Sequence, residues 1–124
     1  MVERHRILLV DDDTEIAAFL ELLFEMEGFA LEVAPSGAAL LGRIAAPGID
    51  AVLLDITLPD ADGLELCTQL KQSPATSAIP VLVVSALPGD AIARKARAAG
   101  ADDYLAKPFE NAELIRRLHL HLGR

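Results

Sequence analysis

Cysteine is nearly absent from this chain of 124 residues, which has one cysteine and no tryptophan. Cys67 therefore cannot form a disulfide within the chain, and the apolar helical pattern around it favours a core position. Although 52% of the residues are hydrophobic, no stretch approaches the roughly 18 unbroken apolar residues of a membrane span. The N-terminal residues lack the features of a secretory signal. We therefore expect a cytoplasmic protein.

Basic residues are also scarce, because 11 Lys and Arg stand against 19 Asp and Glu, for a formal net charge of −8. An acidic chain repels phosphate backbones, which disfavours direct binding of nucleic acid. Glycine-rich phosphate loops, Ser-His-Asp arrangements and zinc-binding cysteine sets are absent from the sequence. The three histidines, His5, His119 and His121, do not follow a predicted strand, so we expect structural roles for them.

Short apolar runs alternate with amphipathic segments along the chain. The runs at 7–10, 51–54 and 81–84 are continuous and rich in branched residues, which is typical of parallel strands buried on both faces. Weaker strands are predicted at 31–34 and 103–106. Helical spacing of apolar residues predicts helices around 16–24, 37–46, 64–70, 92–99 and 111–122. The alternation predicts one α/β domain over residues 1–124, with helices on both faces of a parallel sheet.

Polar residues follow four of the predicted strands, at the edge where such sheets bind ligands. They are Asp11, Asp12 and Asp13 after the first strand, Asp55 after the third, Ser85 after the fourth and Lys107 after the fifth. Because parallel strands end at a common edge, we expect these side chains to lie close together.

This edge is suited to few chemistries. Two carboxylates about 4 Å apart repel by about 4 kcal/mol at an effective dielectric near 20, so Asp11, Asp12 and Asp55 together require a cation. Oxygen ligands without His or Cys favour Mg²⁺, with Mn²⁺ as a substitute. With Mg²⁺ and Lys107 offsetting the charge, Asp55 can attack a phosphoryl group to which Ser85 donates a hydrogen bond.

Four motifs carry a resemblance to a known family. The segments LLVDDD, DAVLLDITLPDADG, PVLVVSA and GADDYLAKPF are similar, in this order, to those of the CheY-like receiver domains of two-component response regulators. The resemblance covers essentially the whole chain and implies a flavodoxin-like sheet of strand order 2-1-3-4-5 with five helices. It implies a phosphoacceptor domain that catalyses only its own phosphorylation and slow dephosphorylation, and is not an enzyme in the ordinary sense.

The resemblance assigns roles around the metal. It implies that Asp55 is the phosphoacceptor, that Asp12 binds Mg²⁺ directly and that Asp11 acts through water. The backbone carbonyl of Thr57 would complete the metal shell, and its side chain would tune the phosphoryl lifetime. Asp13 is interpreted as a helix cap.

Further roles follow from the resemblance on the fourth and fifth strands. Ser85 matches the switch hydroxyl, Tyr104 the aromatic residue that turns inward, and Lys107 the phosphate-binding lysine. A cis peptide bond is expected before Pro108. Pro59 and Gly63 match the loop after the acceptor. The simpler alternatives to these switch roles are that Ser85 only caps a turn and that Tyr104 only packs against its neighbours.

Two other classes of function are weighed against this one. Phosphatases of the haloacid dehalogenase type also use an Asp nucleophile and Mg²⁺, but they generally carry a second Asp where this chain has Thr57. A phosphorylation-independent adaptor, or pseudo-receiver, is expected to lack some of Asp12, Asp55 and Lys107, all of which are present.

The implied partners are a sensor histidine kinase or phosphotransfer protein and, downstream, an output domain or a separate protein. The surface that responds to phosphorylation would be formed by the fourth helix, fifth strand and fifth helix. On this surface Asp102, Asp103, Arg116 and Arg117 suggest charge pairs across a homodimer.

Overall fold

The computed structural model describes residues 4–87 and 89–123. Five strands and five helices alternate along the chain. The strands are β1 (Arg6–Val10), β2 (Ala30–Ala34), β3 (Ala51–Asp55), β4 (Val81–Ser85) and β5 (Asp103–Ala106). The helices are α1 (Thr14–Glu27), α2 (Gly37–Ile44), α3 (Gly63–Gln72), α4 (Asp90–Ala98) and α5 (Asn111–His121). All ten predicted elements are present.

All five strands are parallel and lie in the order β2-β1-β3-β4-β5, which confirms the predicted flavodoxin-like topology. The bounds differ slightly from those predicted. α2 ends at Ile44, two residues before the predicted end, and the side chain of Arg43 donates to the carbonyls of Ala46 and Pro47 just beyond it. Asp55 and Ser85 are the last residues of β3 and β4, and do not follow them, because each pairs in register with the neighbouring strand.

The core consists of two apolar layers, one on each face of the sheet. Along β1, Leu8 and Val10 face one layer while Ile7 and Leu9 face the other, as the alternation of side chains along a strand requires. Cys67 is fully buried in the first layer, as predicted, and its burial raises the pKa of the thiol to about 11. Within the described ranges, no helix has both the length and the apolar character needed to cross a membrane.

We expect Phe24→Ala to lower the free energy of unfolding by about 3–5 kcal/mol, because truncation of a buried aromatic residue leaves a cavity. Phe24 is fully buried, and its ring centroid lies 5.6 Å from that of Phe29. Phe19 lies on the same helix but is 49% exposed, so Phe19→Ala should cost less than about 1 kcal/mol. Urea unfolding of both variants measures the difference, and equal losses would contradict this view of the core.

Two aspartates cap the starts of helices, and Asp13 was predicted to do so. The carboxylate of Asp13 accepts hydrogen bonds from the backbone N–H groups of Glu15 and Ile16 at the start of α1. Asp62 accepts one from Leu64 at the start of α3. Such caps satisfy helix N–H groups that have no partner within the helix. They fix the entry of each helix next to the carboxyl end of a strand.

Candidate functional site

The carboxyl ends of the strands bring the predicted polar residues to one edge of the sheet. Asp11 follows β1 directly, Asp55 ends β3, and Ser85 ends β4. Lys107 follows β5 and its backbone N–H donates to the carbonyl of Ser85. Four separate chain segments therefore contribute to a single site.

The acidic residues of this edge form a close group. One carboxylate oxygen from each of Asp11, Asp12 and Asp55 lies within 4.8 Å of the others. Asp11 is 3% exposed and Asp55 is 8% exposed, whereas Asp12 faces solvent. At such separations each pair of carboxylates repels by about 3 kcal/mol at an effective dielectric near 20. The group therefore favours a bound cation.

The ammonium of Lys107 lies against both buried carboxylates. Its Nζ is 2.9 Å from Oδ2 of Asp11 and 3.3 Å from Oδ2 of Asp55. Burial lowers the pKa of Lys107, but the hydrogen bond and charge of Asp11, with the weaker effect of Asp55, outweigh it and leave this pKa above its ordinary value. Lys107 therefore stays charged, and its single positive charge does not balance three carboxylates.

The second oxygen of each buried carboxylate is held by the backbone. Oδ1 of Asp11 accepts a hydrogen bond from the N–H of Asp13 at 3.0 Å, and Oδ1 of Asp55 accepts one from the N–H of Thr57 at 2.9 Å. Each carboxylate is thus held by a local backbone contact and by Lys107. This arrangement fixes the orientation of Asp55 before any ligand arrives.

The loop after Asp55 is closed at its base. Thr57 and Asp62 form an antiparallel bridge, and the N–H of Gly63 donates to the carbonyl of Ile56 at 3.2 Å. A Cβ atom at residue 63 would lie 2.3 Å from the Cα of Ile56, so only glycine permits this closure. The loop therefore returns the chain to α3 directly beside the acidic group.

Ser85 and Tyr104 differ in their surroundings. Ser85 is fully buried, and its Oγ accepts a hydrogen bond from the N–H of Leu87 at 3.0 Å, the kind of contact that the turn-capping alternative describes. Tyr104 is half-buried, packs against the core layer that contains Val83, and lines a surface groove with Phe109. The peptide bond between Lys107 and Pro108 is cis, as expected.

The four charged residues considered for a homodimer all make ion pairs within the chain. These pairs join Asp102 to Lys71, Asp103 to Arg117, and Arg116 to Glu113. The two arginines lower the pKa of Glu113 to about 2, chiefly through their hydrogen bonds. A dimer through this surface would have to exchange these partners.

The histidines lie at the opposite end of the sheet from the acidic group. The carbonyl of His5 accepts a hydrogen bond from Ala30 at the start of β2, and His121 pairs with Asp103 at the start of β5. The ring of His119 packs against Phe29, with 5.2 Å between centroids. These contacts are of the kind expected for structural histidines.

One contact near the site involves a residue to which the sequence assigned no role. The carboxylate of Asp60 accepts hydrogen bonds from the N–H groups of Gly37 and Ala38, which begin α2. Because the two segments lie more than 20 positions apart, no local pattern indicates this contact. An Asp in a turn before a helix cap was the only available signal.

Comparison with known proteins gives a consistent result. Residues 7–119 match the family model described as response regulator receiver domain. The chain is 40% identical over 121 residues to response regulator MprA of Mycolicibacterium vanbaalenii, covering 96% of this chain and 51% of that protein. It thus spans about half the length of the curated relatives that it matches.

Solved structures agree with the sequence relatives. A putative response regulator from Chloroflexus aurantiacus is 38% identical and superimposes with a TM-score of 0.92, covering 98% of this chain and 100% of that chain. A CheY-like response regulator receiver domain protein from Methanospirillum hungatei is 29% identical, with a TM-score of 0.89 over 98% of this chain and 95% of that chain.

The fold and its acidic edge define a doubly wound α/β domain of the kind that binds ligands beyond the carboxyl ends of its strands. More narrowly, the chain belongs to the receiver domains of response regulators, the signalling proteins of two-component systems.

Proposed function

We propose that residues 1–124 form one receiver domain that accepts a phosphoryl group on Asp55 in a Mg²⁺-dependent reaction. The proposal is carried by one observation, the position of the Lys107 ammonium between the carboxylates of Asp11 and Asp55. This contact supports a role for Asp55 as the nucleophile and for Lys107 as the cation that binds the phosphoryl group, next to a cluster of hard oxygen ligands. A pseudo-receiver accounts less well for the presence of Asp12, Asp55 and Lys107 together, and a phosphatase of the haloacid dehalogenase type accounts less well for Thr57.

The donor set at this edge fits Mg²⁺. Three carboxylates within 4.8 Å of one another, without sulfur or imidazole ligands, suit a small hard cation. Asp11, Asp12 and Asp55 would hold the ion together with the backbone carbonyl of Thr57. When bound, Mg²⁺ supplies positive charge that offsets the carboxylates and the oxygens of an incoming phosphoryl group.

The chain's own residues then carry out the transfer. A carboxylate oxygen of Asp55 forms a bond to phosphorus as the bond from phosphorus to the donor breaks, and the donor leaves with the electron pair of that bond. Lys107 donates a hydrogen bond to the transferred group, and the carboxylate of Asp11 holds the Lys107 ammonium in position. Ser85 donates a second hydrogen bond once its hydroxyl has turned toward the acceptor. Preorganised charge contributes most to a reaction of this kind.

The donor of the phosphoryl group is a histidine kinase or a phosphotransfer protein in this proposal. Acetyl phosphate serves as the simplest test, since Mg²⁺-dependent labelling detected by intact mass requires no partner. Retention of one phosphoryl group per chain supports a receiver, whereas continuous consumption of the donor would indicate a phosphatase. An unlabelled protein would indicate a phosphorylation-independent adaptor. Phosphotransfer profiling against candidate kinases then identifies the partner.

We expect beryllofluoride with Mg²⁺ to shift the protein toward a second conformation, because a phosphoryl mimic draws the Ser85 hydroxyl away from the N–H of Leu87. Tyr104 would then move inward, and the surface of α4, β5 and α5 would change. NMR chemical shifts of Tyr104 and α4 measure the transition. Ser85→Ala should reduce these shifts, while Ser77→Ala, at an exposed position, should not. Equal responses of both variants would contradict the switch.

We expect beryllofluoride to promote a homodimer through the surface of α4, β5 and α5. In the dimer, Asp103 and Arg117 would exchange their bond within one chain for bonds between chains. Isolated surface ion pairs contribute only about 0–1 kcal/mol, so the activated conformation must supply further contacts. Sedimentation velocity with and without beryllofluoride tests this expectation, and a monomer under both conditions would refute it.

A further inference from the structure

The loop between Asp55 and α3 is tied to a distant helix at its tip. Oδ1 of Asp60 lies 2.8 Å from the N–H nitrogen of Gly37, and Oδ2 lies 3.1 Å from that of Ala38. The third N–H group of α2, from Ala39, is capped by Ser36 within the same segment. The start of α2 is therefore capped partly by the neighbouring Ser36 and partly by Asp60 of the loop at residues 56–62, which we call the acceptor loop.

Both partners in this contact are suited to it electrostatically. Backbone N–H groups at a helix start carry partial positive charge and favour a carboxylate. The hydrogen bonds from Gly37 and then Ala38 lower the pKa of Asp60 below its ordinary value. Asp60 is thus ionised at neutral pH and can accept both bonds at once.

The shape of α2 also matches the loop closely. A Cβ atom at residue 37 would lie 2.8 Å from the Cβ of Ala61 and 3.1 Å from a methyl group of Leu66. Gly37 therefore permits an approach that any larger residue would prevent. By contrast, a Cβ at Gly42, on the same helix, would meet no atom within 4 Å.

Taken together, these contacts hold the acceptor loop at three points. The bridge between Thr57 and Asp62 closes its base, Gly63 seals it against Ile56, and Asp60 fixes its tip. Thr57 also donates its N–H to Asp55. Only Leu58 and Pro59 separate Asp60 from Thr57, which carries the carbonyl proposed for the metal site.

We propose that Asp60 is a positioning residue, which anchors the acceptor loop to the start of α2 and so fixes the Thr57 carbonyl for Mg²⁺. This inference rests on the proposed function, because it assumes the metal site of Asp11, Asp12, Asp55 and Thr57. Asp60 does not itself contact the metal or the phosphoryl group. It acts through the backbone between residues 57 and 60.

Calorimetric titration of the chain with Mg²⁺ tests the anchor without any phosphodonor. Asp60→Ala should raise the dissociation constant for Mg²⁺ about tenfold, the lower end of the effect seen when partners outside the ligand shell are removed. Gly37→Ala should act in the same direction, since the added methyl group displaces the loop tip. Asp60→Asn should give an intermediate value, because one amide oxygen can replace only part of the carboxylate.

Matched variants separate this role from general effects on charge and folding. Gly42→Ala adds the same methyl group to α2 in open space, and Asp50→Asn removes a carboxylate that accepts from the N–H of Arg6 at the far end of the sheet. Both should bind Mg²⁺ like the wild type. Hydrogen exchange should accelerate at the amides of Gly37 and Ala38 in Asp60→Ala but not in Asp50→Asn.

The outcomes distinguish the anchor from the proposed function. If Asp60→Ala binds Mg²⁺ within twofold of the wild type while the two amides exchange faster, Asp60 is only a structural cap and the inference is wrong. If the wild type binds Mg²⁺ and Asp60→Ala binds it more weakly, but acetyl phosphate does not label the wild type, the anchor stands and the phosphoacceptor proposal fails. A wild type that does not bind Mg²⁺ overturns both.

Discussion

Asp55→Asn should abolish labelling of the protein by acetyl phosphate. The amide removes the nucleophilic oxygen of Asp55, and in the proposed function the other two carboxylates of the group, Asp11 and Asp12, hold the metal. Loss of the covalent nucleophile leaves no route to an acyl phosphate. Intact mass spectrometry after incubation with acetyl phosphate and Mg²⁺ should therefore show a single unmodified species.

The control for this variant is Asp50→Asn, which changes the net charge equally at the opposite end of the sheet. Asp50 precedes β3, and its carboxylate accepts a hydrogen bond from the N–H of Arg6. Labelling of Asp50→Asn should match that of the wild type. Undiminished labelling of Asp55→Asn would show that the acceptor has been assigned to the wrong residue.

Lys107→Met should slow labelling by acetyl phosphate about 100-fold, in line with the loss of one preorganised donor at a developing charge. Methionine keeps the apolar stem of the side chain but removes the ammonium that contacts Asp11 and Asp55. Saturating Mg²⁺ should not restore the rate, since in the proposed function the ammonium donates a hydrogen bond of its own to the transferred group. Single-turnover labelling rates measure the effect.

The same variant should also be less stable without Mg²⁺. Removal of one partner of a fully buried ion pair costs about 3–5 kcal/mol, and we expect about 2 kcal/mol here because the side chain of Lys107 keeps 19% exposure. Lys107→Arg retains a positive charge and should recover part of the labelling rate and part of the stability. A rate for Lys107→Met within a few fold of the wild type would remove Lys107 from the proposed chemistry.

The elements and the edge that carries the site were predictable from local patterns. Continuous apolar runs at β1, β3 and β4 indicate strands buried on both faces, and the alternation of these runs with amphipathic helices implies parallel pairing. Asp55 and Lys107 were recognised because each stands where a strand ends. Motif order along the chain then identified the family that the comparisons show.

The partners of several charged residues were not predictable. Asp103 and Arg117 suggested contacts between two chains, yet in the structure they pair with each other. No role was assigned to Asp60 from the sequence, although its carboxylate accepts a hydrogen bond from the start of α2. In each case the contact is between two segments that are far apart in the sequence. Their relative position depends on how the helices pack on the sheet, and the periodicity of the sequence does not predict that packing.

The amino-acid sequence alone determined which segments are strands, which faces they bury, and that three aspartates and a lysine meet at one edge, because side-chain periodicity and strand direction are local properties. Only the tertiary structure decided how these groups face one another. It placed the ammonium of Lys107, 96 positions away in the chain, 2.9 Å from Asp11, and it tied Asp60 to α2. Such contacts arise from strand register and helix packing, which depend on the whole chain at once.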